Sequence, residues 1–170
     1  MVCKQKSRHF IHIDMKNMIN KNSYYEGLLQ DFFAASDGCF CLFMTFFYQY
    51  NQIFEFKSEL SQLFQMLYQT ELQNSEILSQ LIIEMGGDAK FYSHSKSFLS
   101  CYSVDYVKGT SQIFLDDIEK LEVSIIQNKS LINKIDDPKI KEKLHTVLKN
   151  KQKCLKILRE NHLKNCLIKK

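Results

Sequence analysis

The sequence predicts an all-α fold: four long helices in a bundle, with one long crossover between the second and the third. Three observations support this prediction. The 170 residues include only one proline and five glycines, so few residues interrupt a helix. Hydrophobic residues make up 45% of the chain, enough for the core of a single domain. Apolar residues also recur at steps of three and four along four separate segments, which is typical of amphipathic helices.

The first helix is expected from residue 23 to about residue 54. Asn22 or Ser23 can cap its start, and Glu26 stands at the capping-box position. Its apolar stripe consists of Leu28, Phe32, Ala35, Cys39, Leu42, Phe46 and Ile53. Residues 1–22 are basic and rich in asparagine with little periodicity, so we expect a flexible N-terminal arm there.

The second helix is expected to start at Ser58, a favourable cap, and to end at Gly86-Gly87, because glycine readily adopts the left-handed conformation that terminates helices. Its stripe consists of Leu60, Leu63, Leu67, Glu71, Asn74, Leu78, Leu81 and Met85. Residues 88–109 show no clean helical period. We therefore expect them to form the long crossover.

The third helix is expected to start near Thr110 or Ser111 and to end at the turn Asp136-Asp137-Pro138. Asp137 then caps the fourth helix and Pro138 takes its first position. The two stripes consist of Phe114, Ile118, Leu121, Ile125 and Ile132, and of Leu144, Val147, Lys151, Cys154 and Leu158. The expected organisation is an arm over 1–22, a bundle over 23–165 and a basic tail over 166–170.

Composition excludes several classes of protein. No window reaches the roughly 18 apolar residues that a membrane helix needs, and the N-terminus lacks the apolar centre of a signal peptide. We therefore expect a cytoplasmic protein without membrane association. The six cysteines form no CxxC pair, so we expect free thiols rather than a disulfide framework.

Charge is distributed unevenly. Residues 139–170 carry eleven lysines and arginines against Glu142 and Glu160, a net charge of +9, so the rest of the chain carries about −5. We interpret this as the solvated face of the fourth helix, and an anion-binding surface is the alternative. Nucleic acid is not the expected partner, because no aromatic residues alternate with the basic ones and no known binding module is present.

Polar residues interrupt two of the apolar stripes. Glu71 and Asn74 fall on the stripe of the second helix, and Lys151 and Cys154 on that of the fourth, three residues apart in each case. A buried charge is costly unless it is paired. The sequence therefore predicts a buried ion pair between Glu71 and Lys151. The alternative is that the Lys151 ammonium reaches solvent along its aliphatic stem.

Several segments resemble bacterial ferritin-like proteins of the rubrerythrin and manganese-catalase type. They are YYEGLLQDFFAASDG, FFYQYNQ, TELQNSEILSQLIIEMGGDAKF, SVDYVKGT and LDDIEKLE, and together the resemblance covers about residues 24–162. The segment around Glu71 is the most specific, because in that family the second helix carries a Glu-x-x-His motif followed by a Gly-Gly-Asp-Pro turn. The resemblance implies a ferritin-like four-helix bundle with one long crossover.

Such proteins hold two metal ions with six side chains from the four helices. The resemblance places those six positions on Cys39, Glu71, Asn74, Leu121, Lys151 and Cys154. Only Glu71 retains the family's ligand type; Glu122 and Asp37 lie nearby but face away from the stripe. We therefore expect these positions to be a vestigial site without a di-iron or di-manganese centre. The alternative metal is a single zinc ion at Cys39, Glu71 and Cys154.

The expected function is that of a non-catalytic structural or interaction module that has lost di-metal binding. The first alternative is a di-iron or di-manganese oxidoreductase that handles peroxide, or an iron-binding protein. The second is a module that binds anions or nucleic acid through the basic fourth helix. The many aromatic residues of the first helix favour a homodimer, formed through that helix or through the crossover.

Overall fold

The structure, a computed structural model, describes residues 21–53, 59–92 and 110–168. These residues form five helical segments: α1 (Ser23–Ala34), α2 (Cys39–Ile53), α3 (Glu59–Glu84), α4 (Thr110–Lys134) and α5 (Pro138–Ile168). Segments α1 and α2 together make the first helix of a four-helix bundle. This confirms the predicted all-α fold. The expected cap Ser58 and the crossover from residue 93 onward lie outside the described residues.

The first bundle helix is broken, whereas the sequence predicted a continuous one. Ala35 leaves the helix with extended backbone angles, φ −65° and ψ 159°, and Gly38 closes a turn by donating to the Ala35 carbonyl at 2.9 Å. A Cβ on Gly38 would collide with the Phe32 carbonyl oxygen, so only glycine fits there. The prediction was wrong because apolar spacing does not reveal such a close backbone approach.

Three predicted helix ends are confirmed: the start of α1, the end of α3 and the start of α5. The Asn22 side chain accepts from the backbone amides of Tyr24 and Tyr25, at 3.0 and 3.1 Å. Gly86 has φ +92° and terminates α3 in a Schellman arrangement, in which Gly87 N donates to the Ile82 carbonyl. Asp137 caps α5 by accepting from the backbone amides of residues 139 and 140, at 2.8 and 3.1 Å. Helix α5 continues past residue 165, the expected end of the bundle, to residue 168.

The contacts between helix ends show that neighbouring helices run antiparallel. At the end of α3, the Glu84 carboxylate accepts from the Lys143 ammonium near the start of α5, at 3.0 Å. At the end of α4, Asp136 N donates to the Tyr25 hydroxyl near the start of α1, at 3.1 Å. The α1–α2–α3 hairpin therefore packs against the α4–α5 hairpin, α3 beside α5 and α1–α2 beside α4.

The core has two apolar clusters separated by polar residues. One cluster includes Leu78, Leu131 and Val147, and the other includes Leu67, Leu121 and Leu158. Between the two clusters, fully buried polar side chains interrupt the apolar stripes of α3, α4 and α5. We call these residues the polar layer, which consists of Glu71, Asn74, Ser124, Asn128 and Lys151. The layer lies near the middle of the bundle. None of the helices in the described parts of the chain combines the length and apolar character that a membrane span requires.

Candidate functional site: the polar layer

The centre of the polar layer is an ion pair between two helices. The Lys151 ammonium of α5 donates to Glu71 Oε2 of α3 at 2.8 Å, and both side chains have 0% exposure. Each residue takes a stripe position of its helix, so the apolar spacing that buries the neighbouring leucines buries these charges as well. The Lys151 side chain therefore does not extend to solvent.

The first bundle helix contributes two groups to this pair. Cys39, fully buried, is the first residue of α2 after the break, and its thiol interacts with both the Lys151 ammonium and the Glu71 carboxylate. The ring of Phe32, from α1, has its centroid 5.9 Å from Lys151 Nζ, within the range of a cation–π interaction. An aromatic face from α1 and a thiol from α2 therefore lie beside the same charge.

Burial and neighbouring charges set the ionisation of this cluster. Burial raises the pKa of the Cys39 thiol to about 12, although the Lys151 ammonium opposes the shift. Burial on its own lowers the pKa of Lys151, but Cys39 and Glu71 outweigh it and hold that pKa above its usual value. The Glu71 carboxylate, paired with the Lys151 ammonium at 2.8 Å, balances its charge inside the bundle.

Three further positions that the resemblance implies surround the Glu71–Lys151 ion pair: Asn74, Leu121 and Cys154. Asn74 Oδ1 accepts from Asn150 Nδ2 at 2.9 Å, whereas Asn74 Nδ2 and Glu71 Oε1 are buried without a hydrogen-bond partner. Leu121 is fully buried in the second apolar cluster, as is Cys154 at 1% exposure. Burial, reinforced by the Glu71 carboxylate, raises the pKa of the Cys154 thiol to about 12.

These residues do not suit a pair of divalent metal ions. Two such ions carry about four positive charges, which ferritin-like sites balance with several carboxylates, whereas Glu71 is the only carboxylate among the six positions and is already paired with an ammonium. No group of three or more His, Cys, Asp or Glu residues in the described ranges is arranged to hold a metal ion. The three residues of the zinc alternative, Cys39, Glu71 and Cys154, lie within those ranges, and zinc binding by them stays a prediction.

The two nearby carboxylates do not complete a site. Glu122, one position after Leu121, is 42% exposed and pairs with the Arg159 guanidinium at the surface. Asp37 lies in the turn between α1 and α2, where its carboxylate accepts from the Ser36 hydroxyl at 3.3 Å. Glu122 thus lies at the surface, as its position off the stripe indicated, whereas Asp37 belongs to a turn in which the helical stripe is interrupted.

Further buried polar residues, which the sequence analysis did not single out, make one contact between the two hairpins and one within the α4–α5 hairpin. Gln49 Nε2 of α2 donates to Asp117 Oδ1 of α4 at 3.0 Å, and both side chains are buried. Asn128 Nδ2 lies 3.4 Å from the Leu144 carbonyl. A signal was present: Asp117 lies three residues after Phe114 and four before Leu121, so it shares their stripe.

The basic residues of α5 are engaged to different degrees. Lys143, Lys156 and Arg159 form ion pairs with Glu84, Glu160 and Glu122 respectively. Lys151 is buried in the polar layer. Two of these pairs, with Glu84 and Glu122, join α5 to α3 and α4, so part of its positive charge is balanced by neighbouring helices.

The arrangement of the helices is that of a ferritin-like helical bundle. Two solved structures of a manganese catalase, KatB from Anabaena, are similar to the chain: the wild-type protein and KatB from Anabaena PCC7120. Each has a TM-score of 0.76 and 14% sequence identity to this chain. The matched region covers 95% of this chain and 79% of the KatB chain. At 14% sequence identity, this structural similarity establishes the fold alone. No sequence family matches the chain, and none of the curated proteins is similar to it in sequence.

Proposed function

We propose that this protein is a non-catalytic structural or interaction module built on the ferritin-like bundle. In this proposal the positions that hold metal ions in ferritin-like enzymes are vestigial, and the Lys151 ammonium supplies positive charge in place of metal. The module acts through its outer helix faces and assembles as a homodimer.

The observation that carries the proposal is the hydrogen-bonded pair of Lys151 and Glu71 at 2.8 Å, both side chains excluded from solvent. A divalent ion bound there would have to displace or deprotonate the ammonium. The pKa of Lys151 is held above its usual value, so deprotonation near pH 7 is unfavourable. The neighbouring thiols are neutral near pH 7, and the carboxamide is a weak ligand for manganese or iron.

The competing function is that of a di-metal oxidoreductase. The likeness of the bundle to a manganese catalase favours it, because a shared fold raises the prior for a shared activity without establishing it. This function requires two metal ions at the centre of the bundle, with additional carboxylate ligands. The two functions therefore differ in metal content, which can be measured directly.

The deciding experiment measures metal by mass spectrometry on untagged protein that has been incubated with Mn²⁺ or Fe²⁺ under reducing conditions and then desalted. We expect substoichiometric metal and no peroxide disproportionation above the buffer rate. Thermal unfolding should not shift with either ion, because a ligand stabilises only the state that binds it. Two equivalents of retained metal with peroxide turnover would establish the oxidoreductase.

A matched variant tests whether the bundle itself, rather than its ligands, prevents metal binding. It carries the substitutions Cys39→Glu, Asn74→His, Leu121→Glu, Lys151→Glu and Cys154→His. Several buried carboxylates repel one another without metal, so we expect this variant to be unstable alone and to be stabilised by Mn²⁺. Far-UV circular dichroism with and without the ion follows its folding. A variant that folds equally well without metal would contradict the idea that these positions form a vestigial metal site.

A further inference from the structure

Four polar atoms of the polar layer have no hydrogen-bond partner among the residues that the structure describes. They are Glu71 Oε1 and Asn74 Nδ2 of α3, and Ser124 Oγ and Asn128 Oδ1 of α4. All four side chains have 0% exposure. A buried polar atom without a partner is costly, and folded proteins pair nearly all such atoms with protein or with ordered water. We call these atoms the four unpaired atoms.

The four unpaired atoms form two complementary pairs. On α3, the Glu71 oxygen accepts hydrogen bonds and the Asn74 nitrogen donates them, and the two residues lie three apart, on the same face of the helix. On α4, the Ser124 hydroxyl can donate and the Asn128 oxygen accepts, and these residues lie four apart. Each pair therefore presents one donor and one acceptor, one helical turn apart, to the same small group.

Existing hydrogen bonds hold three of these side chains in place. Glu71 accepts from the Lys151 ammonium through its other oxygen, at 2.8 Å. Asn74 accepts from Asn150 Nδ2 through its amide oxygen, at 2.9 Å, and Asn128 Nδ2 lies 3.4 Å from a backbone carbonyl of α5. A rotation that moved an unpaired atom towards a protein partner would break one of these contacts. The missing partners are therefore best supplied by a bound molecule.

The polarity of the pairs selects the bound molecule. A metal cation has no lone pair for the Asn74 N–H to donate to, and the Lys151 ammonium repels it. A simple anion cannot donate to the Glu71 carboxylate, which repels it. Water both donates and accepts, and a buried water typically makes about three hydrogen bonds to polar groups that are otherwise unpaired. Water therefore matches both pairs.

We propose that the polar layer binds internal water. One water molecule donates to Glu71 Oε1 and accepts from Asn74 Nδ2, and a second accepts from the Ser124 hydroxyl and donates to Asn128 Oδ1. The inference goes beyond the proposed function, because it assigns a ligand to the centre of the bundle and does not depend on an outer surface. The two waters complete the hydrogen bonds that α3 and α4 leave open.

The first test counts long-lived internal water by oxygen-17 magnetic relaxation dispersion of the full-length protein. The variant Ser124→Ala with Asn128→Leu removes both partners of the second water and fills its space. We expect this variant to lose one long-lived water relative to the wild type. The control, Ser130→Ala with Gln127→Leu, makes the same kinds of change on α4 outside the polar layer, and its count should stay that of the wild type.

Two results of this test would overturn the inference: a wild-type protein without long-lived internal water, or equal counts in the layer variant and the wild type. Far-UV circular dichroism establishes that both variants fold. The wild-type count decides the matter if the layer variant does not fold.

The second test observes the first water directly and needs no substitution. In nitrogen-15-labelled protein, the side-chain amide protons of Asn74 should show cross-relaxation with water of the sign that slow, protein-like tumbling gives. The exposed side-chain amide of Asn51, which donates to the Phe47 carbonyl at 2.9 Å, is the internal control, because water at the surface exchanges rapidly. Asn74 signals that resemble those of Asn51 would contradict the proposed water.

The outcome is separable from that of the proposed function, because metal content is measured on the same preparations. A metal-free protein without long-lived internal water contradicts this inference alone. Two retained metal ions contradict the non-catalytic function. They contradict the water inference as well only if the count of long-lived waters does not fall in the layer variant.

Discussion

The contact between α2 and α3 differs in kind from the contact between α3 and α5. The first is made largely of aromatic rings: Tyr68 of α3 meets Phe43, Phe47 and Tyr50 of α2, and α2 contains no charged residue. The second contains a buried ion pair and a part-buried amide pair. One contact lies within a hairpin and the other between hairpins.

This difference indicates which contact sets the register between the two hairpins. Apolar rings tolerate small shifts along a helix, because dispersion attraction acts between any adjacent apolar atoms and has little directional preference. A buried ion pair tolerates almost none, since a shift leaves a charge without its partner. We expect the polar layer to fix the register between the hairpins, and the rings to hold α2 against α3 with less positional selectivity. Substitutions at the two contacts should therefore differ in how much they lower the free energy of unfolding.

Removing one partner of the ion pair should have the largest effect. Lys151→Met leaves the Glu71 carboxylate buried and unpaired, so we expect a loss of about 3–5 kcal/mol in the free energy of unfolding. The double variant with Glu71→Leu should be more stable than Lys151→Met alone, because it buries no charge. Urea denaturation of both single variants and the double variant measures the coupling. Additive losses would show that the two side chains do not act as a pair.

Raising the pH should destabilise the protein through its buried thiols. Burial raises the pKa of Cys39 and of Cys154 to about 12, so the folded state keeps protons that the unfolded state releases above pH 9. Stability therefore falls as the pH rises from 9 towards 12, by roughly 3 kcal/mol at pH 10 for the two thiols together. The raised pKa of Lys151 adds to this loss above the ordinary lysine pKa. Denaturation at pH 8 and pH 10 measures the loss.

The control for the pH effect is the double variant Cys39→Ala with Cys154→Ala. Its stability is lower at every pH because of the lost packing, but its dependence on pH between 8 and 10 should be flatter than that of the wild type. An unchanged slope would mean that other groups cause the alkaline loss.

Disrupting the second polar contact between the hairpins should cost less. Gln49→Leu removes the donor at 3.0 Å from the buried Asp117 carboxylate, and we expect a loss of about 1–3 kcal/mol. Adding Asp117→Leu should recover part of it, since the buried carboxylate that lost its donor is then removed as well. Thermal unfolding of the three variants gives the comparison, and no recovery in the double variant would argue against a direct interaction.

The smallest effect is expected in the aromatic contact. Phe47→Leu keeps an apolar side chain of similar size but removes the ring that meets Tyr68 edge-on at 5.4 Å. We expect a loss of about 0.5–1.5 kcal/mol. Urea denaturation checks the value. A loss as large as that of Lys151→Met would contradict the contrast between the two contacts.

Much of the fold was predictable because it depends on local chemistry. The caps at Asn22 and Asp137 and the glycine terminus at Gly86 are set by single residues whose preferred geometry is independent of distant contacts. The spacing of apolar residues likewise placed Glu71 and Lys151 on buried stripes. The break between Ala34 and Cys39 was not predictable, because it arises where Gly38 approaches the backbone carbonyl of Phe32.

The spacing of side chains was enough to predict most of the helices, their inward faces and the opposite charges on two of those faces, because it decides which residues share one side of a helix. Only the tertiary structure decided which polar groups meet. It placed Asn150 against Asn74, Gln49 against Asp117, and the Phe32 ring and Cys39 thiol beside Lys151. The physical reason is that the rotation and register of one helix against another depend on the packing of all neighbouring side chains together, which no single stripe specifies.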